Sequence, residues 1–303
     1  MFAVPRPQPV DTPSFRYKGL RELGVDVDTT PIIHLHDSAE DAANLLSALY
    51  DGPEFGDNGK EDFRKVSGIL RLSNKYIIDS LKAKAIVHLS IAWPISLKRW
   101  DAREDMARIY ELETGAHFYP HPILVINLAR EVNAPSLLPA AFYDLSRRPY
   151  TQIFEANVDD PFYLADPTQC LSMDDLRRLC LGKEAIQQAI TALIQAMSNS
   201  QHIRQGQHHG PLTQSRKHPS AVCISAATCR KDFSELVELA TQHYLFDRER
   251  GCWDPLYVAE ELGQLKSAEF SECIACARSL EAWAGRERER LWKLMPQWFR
   301  LET

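Results

Sequence analysis

Two helices joined by a polar hinge are predicted over residues 62–89, which read DFRKVSGILRLSNKYIIDSLKAKAIVHL. In the first helix, apolar or small residues recur every three or four positions, a spacing that places them on one buried face. These residues are Phe63, Val66, Ile69, Leu70 and Ser73. Asn74-Lys75-Tyr76 interrupts the pattern, and the second helix has a new apolar face made of Ile77, Ile78, Leu81, Ala85 and Leu89. The stretch holds no acid–base pair, nucleophile or glycine-rich loop, so it predicts helix packing and no catalysis.

The residues before this hairpin predict one strand and one helix. PIIHLH at 31–36 has the alternation and the β-branched residues typical of a strand. Asp37 and Ser38 are N-cap residues for a helix over 39–51 that Gly52 ends. The apolar side of that helix is predicted to comprise Ala42, Leu45, Leu46 and Leu49.

From about residue 96 onward, the pattern predicts helices almost throughout. One helix is expected in HPILVINLAREVN at 121–133, with Val125, Leu128, Ala129 and Val132 on its buried face. One or two helices are expected at 172–197, with Gly182 as a candidate join. Residues 199–219 are rich in Gln, His, Gly and Ser and predict a flexible linker.

Composition narrows the class of protein. Of the 303 residues, 45% are hydrophobic and 25% are charged, as in soluble globular proteins. The net charge of -6 argues against a general nucleic-acid binder. The sequence has no run of 18 apolar residues, so no membrane span is predicted. The segment MFAVPRPQPVDTP does not resemble a secretory signal. Together with an odd number of cysteines, seven, these features predict reduced thiols in an intracellular protein of the cytoplasm or nucleus.

Cysteine spacing is the strongest chemical signal in the chain. Cys273 and Cys276 form a CxxC, and Cys223 and Cys229 form a wider pair upstream. Four thiolates can hold a tetrahedral zinc ion, and a short pair suits one edge of such a site. Cys252 and His218 are alternative ligands. The competing interpretation is that Cys273 and Cys276, three residues apart on a helix, only pack in the core.

Other polar and aromatic clusters have simpler interpretations. The histidines His202, His208, His209 and His218 could bind metal, but a polar linker predicts that they are solvated. Arginine and glutamate alternate over 286–290, which is typical of a salt-bridged solvent face. Trp283, Trp292, Trp298 and Phe299 fit either an interface anchor or core packing. No GxGxxG, P-loop, GxSxG or HExxH motif occurs, so no catalytic or cofactor-binding residues are predicted.

Several segments, in order, resemble a BTB/POZ protein. ILRLSNKYIIDSLKAKAIVHL at 69–89 and LLSALYDG at 45–52 are similar to the second half of a BTB domain, and MFAVPRPQP resembles the exit from the helix before its third strand. Resemblance to the expanded BTB family of mushroom-forming fungi continues through four further segments. These are WPISLKRWD at 93–101, LAREVNAPSLLPAAFYDLS at 128–146, LCLGKEAI at 179–186 and CIACARSLEAWAGRERERLWKLMPQWFRL at 273–301.

The resemblance implies a mostly α-helical protein with an N-terminally truncated BTB/POZ remnant of α+β type, holding one or two strands. The expected domains are a partial BTB domain at 1–92, a helical extension at 93–198, the linker at 199–219 and a cysteine-containing helical region at 220–303. The opening strand hairpin and buried helix of a complete BTB domain are expected to be missing.

The function implied is non-enzymatic protein–protein interaction. Expected partners are other proteins, including a second copy of the chain, with no nucleic acid, membrane or small-molecule substrate. Two alternatives remain open: a substrate adaptor for a cullin-RING ubiquitin ligase, and a transcription-associated regulator with a C-terminal zinc-binding segment. No cofactor is required, and zinc is the candidate metal.

Overall fold

The computed structural model describes residues 35–154, 170–198, 223, 225–246, 253–265 and 273–301. The chain forms two compact units, Met1–Ser38 and Ala39–Thr303. All helices named below belong to the second unit. The predicted linker at 199–219 lies outside the described residues.

The second unit is built from α-helices, which confirms the prediction of a mostly helical chain. The helices are α1 (Ala39–Tyr50), α2 (Lys60–Lys75), α3 (Asp79–Ala92), α4 (Leu97–Thr114), α5 (Pro122–Glu131), α6 (Leu138–Ser146), α7 (Tyr150–Phe154), α8 (Met173–Ser198), α9 (Ala226–Thr241), α10 (Pro255–Leu265) and α11 (Ile274–Trp298). A 3-10 turn at Pro135–Leu137 precedes α6, and a π-helical turn at Gln242–Phe246 extends α9. No helix in the described ranges is long and apolar enough to cross a bilayer.

The predicted strand at 31–36 is not confirmed. Its first four residues lie outside the described part of the chain, and the last two, Leu35 and His36, have no strand conformation. No strand occurs among the residues that the structure describes. The β part of the expected BTB remnant therefore has no counterpart in the described residues.

The predicted hairpin is present as α2 and α3, which pack against each other. All five residues predicted for the buried face of α2 are buried, as are Leu81, Ala85 and Leu89 on α3. The prediction is wrong for Ile77, which is 78% exposed. Ile77 lies in the turn between the helices with a positive φ of 58°, and this turn points its side chain away from the core.

Helix α1 packs against α2 through a narrower face than its sequence predicts. Leu45 and Ala48 are buried, and Ala42 is half-buried, but Leu46 and Leu49 are exposed. Ala42, Leu45 and Ala48 form the apolar part of the face towards α2, and the side chain of Asp41 lies against Gly68 beside them. The buried part of α1 joins a small cluster with Ile69, Leu72 and Leu81.

A larger core extends from Phe63 to Phe299, and α6 lies within it. Nearly every residue of α6 is buried, which is expected of a helix that is apolar on most of its surface. The four residues predicted for the buried face of the preceding segment, Val125, Leu128, Ala129 and Val132, are also buried.

Gly182 does not join two helices, because α8 continues through it without a break. A Cβ atom at this position would lie 2.0 Å from Cε1 of Phe299, which is fully buried. The glycine is therefore needed for the close approach of the Phe299 ring to α8.

The C-terminal aromatic residues are part of the core. Trp283, Trp292, Trp298 and Phe299 are all buried. The indole nitrogen of Trp292 donates a hydrogen bond of 2.9 Å to the carbonyl of Ile95. This confirms core packing and does not fit an exposed interface anchor.

A candidate metal centre of four cysteines

The start of α9 positions two of the four cysteines. Ser225 caps this helix: its hydroxyl accepts a 3.4 Å hydrogen bond from the amide of Thr228. The amide of Cys229 donates to the carbonyl of Ser225 at 3.0 Å, so the Cys229 side chain lies in the first turn. Cys223 lies two residues before the cap, outside the helix.

The start of α11 positions the other two. Cys273 is the N-cap residue, and its carbonyl accepts hydrogen bonds of 3.1 Å from the amides of both Cys276 and Ala277. The CxxC therefore spans the beginning of the helix, with one thiol before the first turn and one within it. This differs from the alternative in which both residues lie inside a helix.

The four sulfur atoms form one compact group. The Sγ atoms of Cys223, Cys229, Cys273 and Cys276 all lie within 4.8 Å of one another. Sγ of Cys223 and Sγ of Cys229 are 3.6 Å apart, well beyond a disulfide bond of about 2.05 Å. Four sulfurs bound at about 2.3 Å around a tetrahedral zinc ion are separated by about 3.8 Å. Only small side-chain adjustments would be needed to bind a metal ion.

The four sulfurs lie at the N-terminal ends of two helices, α9 and α11. Two helix N-termini converge here, and the partial positive charge of each stabilises nearby anions. Cys229, Cys273 and Cys276 are buried, and Cys223 is half-buried. A divalent cation held by these sulfurs would have three buried ligand residues and one half-buried ligand residue.

The structure brings together all four cysteines that the spacing predicts. They come from positions up to 53 residues apart, 223 to 276, and together they could hold a metal ion. The alternative ligands Cys252 and His218 lie outside the described residues. So do His202, His208 and His209.

A second polar group, which sequence reasoning missed, lies where α4, α6 and α10 meet. The guanidinium of Arg103 donates to Asp144 at 2.6 Å and also contacts Glu104. Arg147 donates to the same two carboxylates at 2.7 and 2.5 Å and reaches Asp254 at 3.3 Å. Burial alone would raise the pKa of Asp144, but the nearby arginines outweigh it and hold that pKa well below its ordinary value.

Aromatic rings enclose one end of this network. The Arg103 side chain is only 4% exposed, and its guanidinium lies 4.3 to 4.8 Å from the ring centres of Tyr119, Trp100 and Trp93. Such cation–π contacts are strongest where water is excluded. The network therefore joins helices in the core.

A cavity of about 320 Å³ opens beside the network. Its lining includes four arginines, Arg103, Arg108, Arg147 and Arg148, and four carboxylates, Glu104, Glu111, Asp144 and Asp254. Arginines and carboxylates are therefore equal in number in its lining. Most of its carboxylates already accept hydrogen bonds from protein arginines.

Lys183 is a third feature that the sequence did not predict. It is buried in α8, and its ammonium group donates to the carbonyls of Ser146 and Arg148 at 2.8 and 2.6 Å. The same group lies 3.9 Å from the ring centre of Trp253. These carbonyls are at the C-terminal end of α6, where a cation complements the helix dipole.

The sequence does contain one sign of the charged network and of buried Lys183: charged residues occur within apolar helical segments. Asp144 and Arg147 occur in AAFYDLSRR, where a helix is otherwise apolar, and Lys183 occurs in LCLGKEAI. A charged side chain in such a segment is buried only when a hydrogen-bonding or oppositely charged group contacts it. Here most of those groups lie far away in the sequence, so the pattern does not identify them.

Comparison with known proteins gives no relative from which to assign a family. A scan against protein-family models, a search of curated proteins and a search of solved structures each find no match to this chain.

Proposed function

We propose that this chain is a non-enzymatic protein-interaction module of the BTB/POZ type whose C-terminal helices are fixed by a structural zinc ion. The observation that carries the metal part is the convergence of the four cysteine sulfurs within 4.8 Å. Catalytic zinc keeps one coordination position for water or substrate, whereas four protein ligands leave none. A site of this composition favours a structural role.

The ligand type favours zinc among the metals of cells. Thiolate sulfur is a soft ligand, and a tetrahedral set of four thiolates selects zinc or iron over magnesium and calcium. The site would join α9 to α11, two helices that begin far apart in sequence. Folding free energy would then include the free energy of metal binding.

Exposed apolar side chains support the protein-binding part of the proposal. On α3, Val87 and Ile91 are 68% and 59% exposed, and Ile95, just beyond the helix, is 71% exposed. Val87 and Ile91 are four residues apart and lie on one side of α3. This side belongs to the hairpin on which the BTB resemblance rests, and contiguous exposed apolar surface is typical of interaction sites.

Metal analysis of protein purified without added metal tests the zinc site. Near-stoichiometric zinc is expected in the wild type and in the Cys170→Ser variant, whose thiol is exposed and outside the cluster. Cys276→Ser is expected to lose the metal. Iron in place of zinc would change the identity of the ion, and wild-type protein with neither metal would overturn the metal part of the proposal.

Affinity purification with matched variants tests the protein-binding part. We expect specific partners to be captured by the wild type and by Lys231→Glu, a change at an exposed position on α9. Val87→Glu combined with Ile91→Glu should lose those partners while keeping the wild-type circular dichroism. Identical capture by all three proteins would show that α3 is not the contact surface. A cullin among the lost partners would specify the adaptor function.

A further inference from the structure

The four cysteines differ in their access to solvent. Cys229, Cys273 and Cys276 are buried, whereas Cys223 is half-buried and precedes the first turn of α9. Of the four residues, Cys223 is therefore the one most open to a small water-borne reagent. Oxidation of a thiolate follows its accessibility as well as its charge.

Cys223 also has a resolving thiol next to it. The Sγ atom of Cys229 is 3.6 Å away, so forming a disulfide of about 2.05 Å requires an approach of roughly 1.5 Å. Cys223 lies outside regular helix, and its movement does not require any helical hydrogen bond to break. Cys229, in contrast, is held by the hydrogen bond from its amide to Ser225.

We propose that the four-cysteine centre is a peroxide-responsive site, in which a disulfide forms between Cys223 and Cys229 and the metal is released. This inference rests on the zinc site proposed above. It adds to that site a reaction with hydrogen peroxide.

The chemistry balances in two steps. The Cys223 thiolate attacks one peroxide oxygen, the O–O bond breaks, and a sulfenic acid and hydroxide form. The Cys229 thiolate then attacks the Cys223 sulfur, the S–O bond breaks, and a second hydroxide leaves. Two thiolates lose two electrons in total, and the peroxide gains them. The metal keeps only Cys273 and Cys276 as protein ligands, and its affinity falls.

Loss of the metal would remove the link between α9 and α11. Among the described elements, α9 packs mainly against α8 and its own π-helical extension. The start of α9 would then keep its Ser225 cap and the new Cys223–Cys229 disulfide, but it would no longer be held to the start of α11. We expect the amides of its first turn to exchange hydrogen faster after oxidation.

Tryptic peptide mapping can locate the disulfide directly. Trypsin is expected to cleave after Lys217 and Arg230, giving a peptide 218–230 that holds Cys223 and Cys229. It is also expected to give a peptide 267–278 that holds Cys273 and Cys276. Zinc-loaded protein is treated with hydrogen peroxide, the remaining thiols are alkylated, and released zinc is measured with a chromophoric chelator.

The expected result is zinc release in parallel with the loss of two hydrogen atoms from peptide 218–230, while both thiols of peptide 267–278 are alkylated. A Cys170→Ser/Cys180→Ser variant lacks the two cysteines outside the centre that are exposed among the described residues, and it should give the same result. A disulfide in peptide 267–278, or between the two peptides, would overturn the assigned pair.

Two further outcomes separate this inference from the zinc proposal. Reduced protein that holds zinc and keeps both the metal and four alkylatable thiols after peroxide would overturn the response to oxidant and leave the zinc site intact. Reduced protein without zinc would overturn both.

Discussion

The hydroxyl of Tyr143 donates a 2.6 Å hydrogen bond to Oδ1 of Asp254, which lies 111 residues further along the chain. The same hydroxyl accepts a hydrogen bond from the amide of Leu256 at 3.3 Å. Asp254 in turn accepts from the amide of Tyr257 at 3.0 Å and so caps the start of α10. One buried phenol on α6 therefore fixes where a distant helix begins.

Replacing Tyr143 with phenylalanine is expected to destabilise the fold. The ring would remain, but the Leu256 amide and the Asp254 carboxylate would each lose a buried partner. Such a loss costs about 1–3 kcal/mol, which urea unfolding at constant pH can measure. Tyr50→Phe is the matched control because Tyr50 is 86% exposed, and it should change stability by less than about 0.5 kcal/mol. Equal effects of the two substitutions would contradict the role of the Tyr143 hydroxyl.

Gly182→Ala is expected to destabilise the protein although alanine is the better helix former. Its methyl group would lie 2.0 Å from the buried Phe299 ring, and overpacking a core costs about 1–3 kcal/mol. The control is Gly285→Ala on α11, where a Cβ meets nothing within 4 Å. That change should stabilise by up to about 1 kcal/mol. Thermal unfolding of both variants distinguishes the two sites, and stabilisation by Gly182→Ala would contradict the close approach.

The buried His121 predicts a loss of stability in weak acid. Burial lowers the pKa of this imidazole from 6.5 to about 4, assisted by Arg148 and opposed by Asp144. Its Nδ1 accepts the 3.2 Å hydrogen bond of the Ile123 amide at the start of α5, and a proton on that atom would remove the acceptor.

The unfolded chain binds this proton near pH 6.5, and the native chain binds it only near pH 4. The contribution of His121 is therefore present in full above pH 6.5 and declines as the pH falls towards 4, by about 3 kcal/mol at most. His121→Asn retains an N-cap residue that does not titrate. Urea unfolding from pH 7 to pH 4 should show a shallower decline for this variant, and an unchanged decline would exclude His121 as its source.

Local patterns in the sequence predicted the helices better than their exact faces. The spacing of Phe63, Val66 and Leu70 identified the buried side of α2 because that side is set by helix geometry alone. Which side of α1 is buried depends on the neighbouring helix. The exposure of Ile77 depends on a turn with positive φ. Neither of these can be read from periodicity.

The two polar centres differ in how far the sequence could predict them. A CxxC and a second cysteine pair are a recognisable ligand set, since few other arrangements use four such residues. The network of Arg103, Asp144 and Asp254 has no spacing rule, because three separate helical segments bring its charges together. Only the presence of charges in apolar segments could have indicated that some polar contact was buried there.

If the four cysteines bind one metal ion, the stability losses caused by replacing a cysteine at the start of α9 and one at the start of α11 should not add up. Cys229→Ser and Cys273→Ser should each abolish zinc binding and lower the unfolding temperature, although they are 44 residues apart in sequence. Once one substitution has removed the metal, the second has no metal binding left to lose. The double variant should therefore be little less stable than either single variant, a clear departure from additivity.

A chelator should destabilise the wild type and leave all three variants unchanged, because only the wild type gains free energy from bound metal. Additive losses together with no effect of the chelator would mean that the cysteines only pack in the core.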